Sequence, residues 1–234
     1  MDLSALPRAG ALSPHARAER WRPGLARALH SEIFAPGNQG SGAAAALALA
    51  LDAPPGPGAD RRSVLWVQDR AALRLTGRPY GPGLPAALRR RVIHVAAATP
   101  EDALFALEEG LRCRELACVI GEIAGNPKAL DFTASRRLSL AAERNGVPLF
   151  LVRLDAARDL SAARMRWQVA AAPSPPPRWN AAAPGAPTWR AELFRARAHP
   201  PGEWILRALR DGLSASGLDP SSGQSEVERV VRSS

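Results

Sequence analysis

The sequence is poor in the residues that build disulfide-linked or metal-bound folds. Among 234 residues it has only two cysteines, Cys113 and Cys118, and four histidines. Two cysteines provide no disulfide framework, and neither they nor the scattered histidines have the spacing of a zinc site. We therefore expect no metal site. Both thiols are expected in the core, Cys113 at the end of a helix and Cys118 in an apolar strand.

Long apolar runs are also missing. No segment approaches the ~18 apolar residues that a membrane-spanning helix requires. The segment from Met1 to Arg8 lacks the apolar stretch of a secretory signal peptide. The sequence therefore predicts a soluble, cytoplasmic protein without a membrane partner.

Lysine is nearly absent, so the positive charge comes from arginine. Lys128 is the only lysine among 31 basic residues, which outnumber 22 acidic residues and give a net charge of +9. An excess of basic over acidic residues favours association with nucleic acid or with an acidic partner. The alternative that the residues leave open is a basic surface that is merely solvated.

Short apolar runs alternate with segments of helical pattern. The hydrophobic content of 46% is enough to fill a core, and continuous apolar runs are typical of strands buried on both faces of a parallel sheet. Helix starts are expected at Thr99-Pro100 and Asn126-Pro127, and a helix end at Asn145-Gly146. The alternation predicts an α/β fold with a mainly parallel sheet. The expected strands cover residues 63–67, 92–95, 117–120, 149–152 and 165–170.

Proline and glycine divide the chain into four predicted parts. An N-terminal arm (residues 1–31) precedes a core (32–170), and a proline- and alanine-rich linker (171–188) follows. The remaining C-terminal segment (189–234) is a candidate interaction segment. Its end, from Ser214, is rich in serine and glycine and is expected to be disordered.

The segment Gly37–Ala44, called the glycine loop below, has the glycine spacing of a phosphate-binding loop, and an alanine-rich helix follows it. In the motif G-x-x-x-x-G-K-[ST], the lysine reaches the phosphates and the hydroxyl binds magnesium. Alanine stands at both of these positions. The motif predicts either a nucleotide site without its charge and metal ligand, or a simple glycine-rich turn. Its candidate residues are Gly37, Gly40, Ser41, Gly42, Ala43 and Ala44.

No complete catalytic set accompanies the glycine loop. Gly40-Ser41-Gly42 lacks the G-x-S-x-G elbow and a placed histidine. Asp69 and Glu122 each come at the end of an apolar run, where open α/β sheets bind ligands. Asp69 is equally well explained as a helix cap. Arg153, at the end of a later run, is explained as a surface charge or a salt bridge at the edge of the core.

The order of these features resembles the RecA ATPase core over roughly residues 30–205. Within that superfamily the chain is similar to the ImuA-type proteins, RecA-like accessory factors of damage-induced bacterial mutagenesis. The runs that carry this resemblance are Glu32–Gly37 with Gly40–Ala43, Arg166–Ser174 and Trp189–Leu193.

The resemblance implies a RecA-like P-loop NTPase core with a degenerate nucleotide site. Gly121 then stands where the magnesium-binding aspartate belongs, and Glu122, one residue along the strand, points to the opposite face. Asp69 lies near the position of the catalytic glutamate. Arg153 lies near that of the glutamine that senses the γ-phosphate. Asp69 and Glu122 are in this interpretation vestigial acids.

The resemblance also implies a function in error-prone translesion DNA synthesis after DNA damage, as a scaffold for an ImuB-type Y-family-polymerase-like protein and an error-prone C-family polymerase.

The missing lysine and magnesium ligands argue against catalysis. A charged hydrogen bond contributes about 1.5–3 kcal/mol, and groups positioned for the transition state contribute about 10²–10³ in rate each. With two or three such groups missing, we expect no ATPase activity and no cofactor. The alternatives are a divergent RecA-like ATPase or recombinase, and a plain DNA-binding module.

Apolar side chains reappear after the linker. Trp204, Leu206 and Leu209 are expected to form one face of a helix. Aromatic anchors beyond a proline linker suit docking into a groove on a partner. The alternatives are that this segment folds back on the core, or that its arginines contact phosphates. The candidate partner-binding residues are Trp189, Leu193, Phe194, Trp204 and Leu209.

Overall fold

A nine-stranded sheet runs through the part of the chain that the computed structural model describes, which comprises residues 29–52, 60–178, 180–209 and 212–218. The strand order is β3-β2-β4-β5-β1-β6-β7-β8-β9. Pairings among β1 to β6 are parallel, and those from β6 to β9 are antiparallel. The mixed α/β fold with a mostly parallel sheet is therefore confirmed. The strands are β1 His30–Ala35, β2 Ser63–Gln68, β3 Val92–Ala96, β4 Leu116–Ala124, β5 Leu149–Leu154, β6 Met165–Ala171, β7 Thr188–Ala196, β8 Gly202–Leu209 and β9 Gly212–Gly217.

Four α-helices connect the described strands, and their caps were largely readable from the sequence. They are α1 Ser41–Asp52, α2 Arg70–Thr76, α3 Pro100–Arg112 and α4 Phe132–Asn145. The Thr99 hydroxyl accepts a hydrogen bond from the N–H of Asp102, and Gly146 ends α4 in the left-handed conformation, both as predicted. The predicted start of α4 at Asn126-Pro127 is wrong. Asp131 provides the cap instead, because its carboxylate accepts from the N–H of Ala134.

The helices lie on both faces of the sheet. Helices α1 and α2 cover one face, where Ile33, Val152 and Trp167 form part of a buried cluster. Helices α3 and α4 cover the other face over a second cluster that includes Leu107 and Leu138. Buried apolar area of this kind is the main stabilising contribution to such a fold.

The C-terminal segment extends the same sheet, and the predicted helical face in it is wrong. Trp204, Leu206 and Leu209 lie on strand β8, in which alternate side chains point to opposite faces. The expectation of disorder from Ser214 is also wrong for residues 214–217, which belong to β9. The described residues between β6 and β7 form neither helix nor strand, in line with an extended linker.

Parts of other predictions lie outside the described residues: residues 1–28 of the N-terminal arm and residues 219–234 of the C-terminal segment.

The expectation that both cysteines lie in the core is wrong for Cys113, which is exposed because it follows the last turn of α3. Cys118 is buried in β4, and burial raises the pKa of its thiol to about 12. None of the helices in the described ranges is both long and apolar enough to cross a membrane.

Candidate functional site

The glycine loop connects β1 to α1 at the centre of the sheet. Strand β1 pairs in parallel with β5 on one side and β6 on the other. A loop between a central parallel strand and a helix is the arrangement of a phosphate-binding loop. Strand β1 was not predicted from the sequence, in which residues 63–67 were expected to form the first buried strand. Buried His30 and Glu32 interrupt the apolar pattern of β1 and conceal it.

A carboxylate of the chain itself lies against the start of the glycine loop. The N–H of Gly37 donates a hydrogen bond of 2.8 Å to Asp155 Oδ1. A Cβ added at Gly37 would collide with Asp155 Oδ2 and would lie 2.9 Å from Leu75 Cδ1. The space beside Gly37 is thus filled by an acidic and an apolar side chain. An anion approaching this N–H would have to displace the carboxylate.

Asp155 follows the last residue of β5 and has a left-handed backbone conformation, with a φ of 49°. Its own N–H donates to the carbonyl oxygen of Ala35 at the end of β1, which fixes the carboxylate near the loop. The sequence analysis did not select Asp155. Its position directly after an apolar strand was the available signal, because ligand-site residues of α/β sheets occur at such strand ends.

The other side chains of the glycine loop form hydrogen bonds or packing contacts within the chain. Gln39 Oε1 accepts hydrogen bonds from the Ser41 hydroxyl at 3.3 Å and from the N–H of Ala171 at 3.1 Å, which ties the loop to β6. Ala43 packs partly buried against the core, and Ala44 is exposed. Methyl groups at these two positions supply neither a charge for phosphate nor a ligand for magnesium.

Gly42 and Gly40 have different environments. A Cβ added at Gly42 would lie 2.7 Å from both Ala35 Cβ and Val152 Cγ1. Glycine at this position therefore lets α1 approach β1 and β5 closely. A Cβ added at Gly40 would meet nothing within 4 Å. One of the motif's glycines thus has a packing function that needs no ligand.

Gly121 and Glu122 of β4 point to the opposite faces of the sheet from those expected, since Gly121 was placed at the magnesium-binding position. Gly121 faces α3, since a Cβ added there would lie 2.9 Å from Leu107 Cδ2. Glu122 lies on the face of α1 and α2, where it pairs with Gln68 of β2 and accepts a hydrogen bond from the indole N–H of Trp66. The acid, and not the glycine, is therefore on the side of the helix that follows the loop.

Three donors of the chain hold the carboxylate of Glu122. They are Trp66 Nε1 at 2.7 Å, the Thr76 hydroxyl at 3.0 Å and Gln68 Nε2 at 3.1 Å. Gln68 Oε1 in turn lies 2.8 Å from His94 Nε2. Burial raises the pKa of Glu122 above its usual value. The described ranges contain no group of three or more His, Cys, Asp or Glu residues that could hold a metal ion.

Asp69 and Arg153 have the structural functions that the sequence analysis allowed for them. Asp69 caps α2, because its carboxylate accepts from the N–H of Ala72 at 2.6 Å. Arg153 is buried and lies 3.7 Å from Glu32 Oε1 and 3.5 Å from Asp159 Oδ1. The cap and the salt bridge at the edge of the core are thus both observed.

The five candidate partner-binding residues do not form one exposed surface. Trp189, Leu193 and Trp204 are buried on the α1 face of the sheet, so the alternative that this segment folds back on the core holds for them. Phe194 is partly buried under the guanidinium group of Arg158, which lies 3.9 Å from the ring centroid. Leu209 is exposed at the end of β8. A partner-binding function for this segment stays a prediction.

The chain is similar to curated proteins named Protein ImuA. Two of them, from the NA1000 and CB 15 strains of Caulobacter vibrioides, are each 38% identical to it over 160 residues. The aligned region covers 64% of this chain and spans 62% of the length of each relative. No family model matches the chain. The similarity to ImuA-type proteins that was predicted from short runs of sequence is therefore confirmed.

Proposed function

We propose, from the similarity to Protein ImuA, that the chain is a noncatalytic accessory protein of damage-induced mutagenesis with a RecA-like core and a degenerate nucleotide site. In this proposal it bridges an ImuB-type Y-family-polymerase-like protein and an error-prone C-family polymerase during translesion DNA synthesis. In this proposal the glycine loop no longer binds a nucleotide and has only a structural function.

The observation that carries the noncatalytic proposal is the hydrogen bond from Gly37 to Asp155 in a loop with Ala43 and Ala44 at the functional positions. A nucleotide phosphate at this loop would find no lysine, no hydroxyl for magnesium and a carboxylate beside the first N–H. A negative charge about 4 Å from a phosphate costs about 1–4 kcal/mol at effective dielectric constants of about 20–80. This repulsion adds to the loss of the lysine contact.

Glu122 supports the same proposal. A catalytic acid or metal ligand needs lone pairs that are free to meet a water molecule or a metal ion. Three donors of the chain already use the carboxylate of Glu122, and burial disfavours its charged form. Its contacts are those of a structural group between β2, α2 and β4.

An ATPase assay on the purified chain tests the noncatalytic proposal. We expect no hydrolysis above the background of a mock preparation, with or without single-stranded DNA. Hydrolysis that disappears in the Glu122→Gln variant, but persists in the surface control Glu203→Gln, would overturn the proposal. Filaments that form on single-stranded DNA only with ATP would favour the recombinase alternative instead.

The accessory function is tested in the native host. Deletion of the gene should lower the frequency of mutations induced by ultraviolet light, and the wild-type chain should restore it. We expect the Glu122→Gln variant to restore it as well, because no step of hydrolysis is needed. The tagged chain should co-purify with the two polymerase-type partners from DNA-damaged cells. An unchanged mutation frequency in the deletion strain would refute the proposal.

A further inference from the structure

A basic concave surface lies between α4 and the adjoining ends of β6 and β7. This surface, called the α4 groove below, encloses about 550 Å³ and is floored in part by the small side chains of residues 161–163. It lies apart from the glycine loop, and none of the predicted site residues lines it. The side chains that the inference uses are Phe132, Arg136, Leu140, Arg164, Arg195 and Arg197.

The charge of the α4 groove is strongly one-sided. Among the described residues, four arginines line it and Glu143 is the single acidic one. Glu143 is already paired with Arg164. Within the described ranges, the side chains of Arg136, Arg195 and Arg197 form no ion pair. Three exposed guanidinium groups are thus available to negative charges of a partner.

The groove also exposes apolar surface. Phe132 is 49% exposed and Leu140 is 52% exposed. They lie eight positions apart on α4, close to two helical turns, so both face the groove together with Arg136. Exposed apolar side chains flanked by arginines are typical of the centre and rim of protein interaction surfaces.

We propose that the α4 groove binds an acidic peptide segment of a partner protein, with apolar side chains against Phe132 and Leu140 and carboxylates against Arg136, Arg195 and Arg197. We choose an acidic occupant because its negative charges complement the arginines of the groove. Residues 1–28 of the chain itself carry five arginines against two acids, so their charge does not complement that of the groove. Residues 219–234, with three acids and two arginines, are nearly neutral.

The observations favour a peptide over single-stranded nucleic acid. Proteins that bind single strands without sequence preference stack successive bases on several aromatic side chains along a basic track. Phe132 is the single aromatic side chain among those that line the groove. Leu140, Ala162, Ala163 and Ala196 all line the groove and offer apolar surface to a leucine or phenylalanine side chain. The inference rests on the proposed scaffold function for its biological purpose, whereas its test measures binding alone.

The test is a selection of displayed peptides of about 12 residues on the full-length chain. We expect the selected peptides to be enriched in Asp and Glu together with Leu, Phe or Trp. Binding of a selected peptide, measured by fluorescence anisotropy, should weaken at least ~10-fold in the Arg136→Glu/Arg195→Glu/Arg197→Glu variant. The matched control reverses three exposed arginines outside the groove, Arg74, Arg90 and Arg114, and should bind as the wild type does.

A single substitution guards against misfolding of the triple variant. Leu140→Ser changes an exposed side chain, so the fold is retained, and it should weaken peptide binding by removing the apolar contact. Selected peptides without acidic enrichment, or equal binding to the groove and control variants, would overturn the inference. An oligothymidine of about 20 nucleotides that binds through the same arginines while no peptide is enriched would do so as well. Peptide binding that depends on the groove as expected, together with an unchanged mutation frequency in the deletion strain, would count against the proposed function alone.

Discussion

Gly42 provides a sharp test of whether the glycine loop is kept for packing. Its substitution by alanine would place a methyl group 2.7 Å from both Ala35 Cβ and Val152 Cγ1. Contacts this short require α1 to move away from β1 and β5. Gly40→Ala is the matched control from the same loop, because its added methyl group would meet nothing within 4 Å.

The expected effects have opposite signs. Overpacking a close contact costs about 1–3 kcal/mol, and alanine regains about 0.5–1 kcal/mol over glycine within a helix. Gly42→Ala should therefore lower the free energy of unfolding by about 0.5–2 kcal/mol. Gly40→Ala should leave it unchanged or raise it by about 0.4–1 kcal/mol, because it restricts the unfolded chain.

Urea denaturation followed by tryptophan fluorescence measures both variants. For a chain of this size, each kcal/mol also corresponds to about 2–4 °C in melting temperature. If Gly42→Ala were as stable as Gly40→Ala, the close approach of α1 to β1 would not be what fixes glycine in the loop. The structural explanation of the motif would then be refuted, and a ligand would have to be sought.

Three further predictions concern the carboxylates of Asp155, Glu122 and Glu32. Asp155→Asn removes the charge beside the loop and should raise the affinity for inorganic pyrophosphate, measured by titration calorimetry; no gain would contradict the repulsion. The pKa of Glu122 is raised, so the stability that its neutral form provides is present below pH 4.5 and is lost as the pH rises. Glu122→Gln should therefore gain stability relative to wild type as the pH rises above 4.5 in urea titrations, and a difference that does not change with pH would contradict this. Glu32→Gln should cost about 3–5 kcal/mol, since it removes the buried negative charge that lies 2.7 Å from Arg166 Nε and 3.7 Å from Arg153. The control Glu203→Gln, in an exposed pair, should cost about 0–1 kcal/mol, and equal losses in the two variants would refute the argument.

The alternation of apolar runs and capped helices was sufficient to predict much of the fold. Strands β2 to β6 were all expected, because each contains a short run or cluster of apolar residues, although β4 extends to Ala124, beyond the expected end at residue 120. Strand β1 was missed, since His30 and Glu32 are buried there through specific partners that the sequence does not reveal. His30 Nδ1 lies 2.6 Å from the Ser139 hydroxyl, and Glu32 Oε2 lies 2.7 Å from Arg166 Nε. Burial lowers the pKa of His30 to about 3, so its imidazole stays neutral.

The C-terminal strands were misread for a different physical reason. Trp204 and Leu206 have the two-residue spacing of a strand, whereas Leu206 and Leu209 have the three-residue spacing of a helix, and six residues are too few to separate the two periods. Their pairing with β7 and β9 decides the outcome, and that pairing depends on tertiary context. The faces of β4 were likewise undetermined, because alternation predicts that Gly121 and Glu122 diverge but does not say which helix each meets.

The glycine-loop region and the α4 groove differ in whether their charged side chains already have partners within the chain. At the carboxyl ends of the central strands, Asp69 caps a helix, Glu122 accepts three hydrogen bonds and Asp155 accepts from the glycine loop. Carboxylates held in this way rigidify the fold, and they reach a ligand only if these bonds break. Arg136, Arg195 and Arg197 of the α4 groove, in contrast, have no ion-pair partners in the described chain and lie beside exposed apolar side chains. Groups that a fold leaves unsatisfied at its surface are the ones free to bind. A partner is therefore better sought at the α4 groove than at the loop whose sequence first suggested a site.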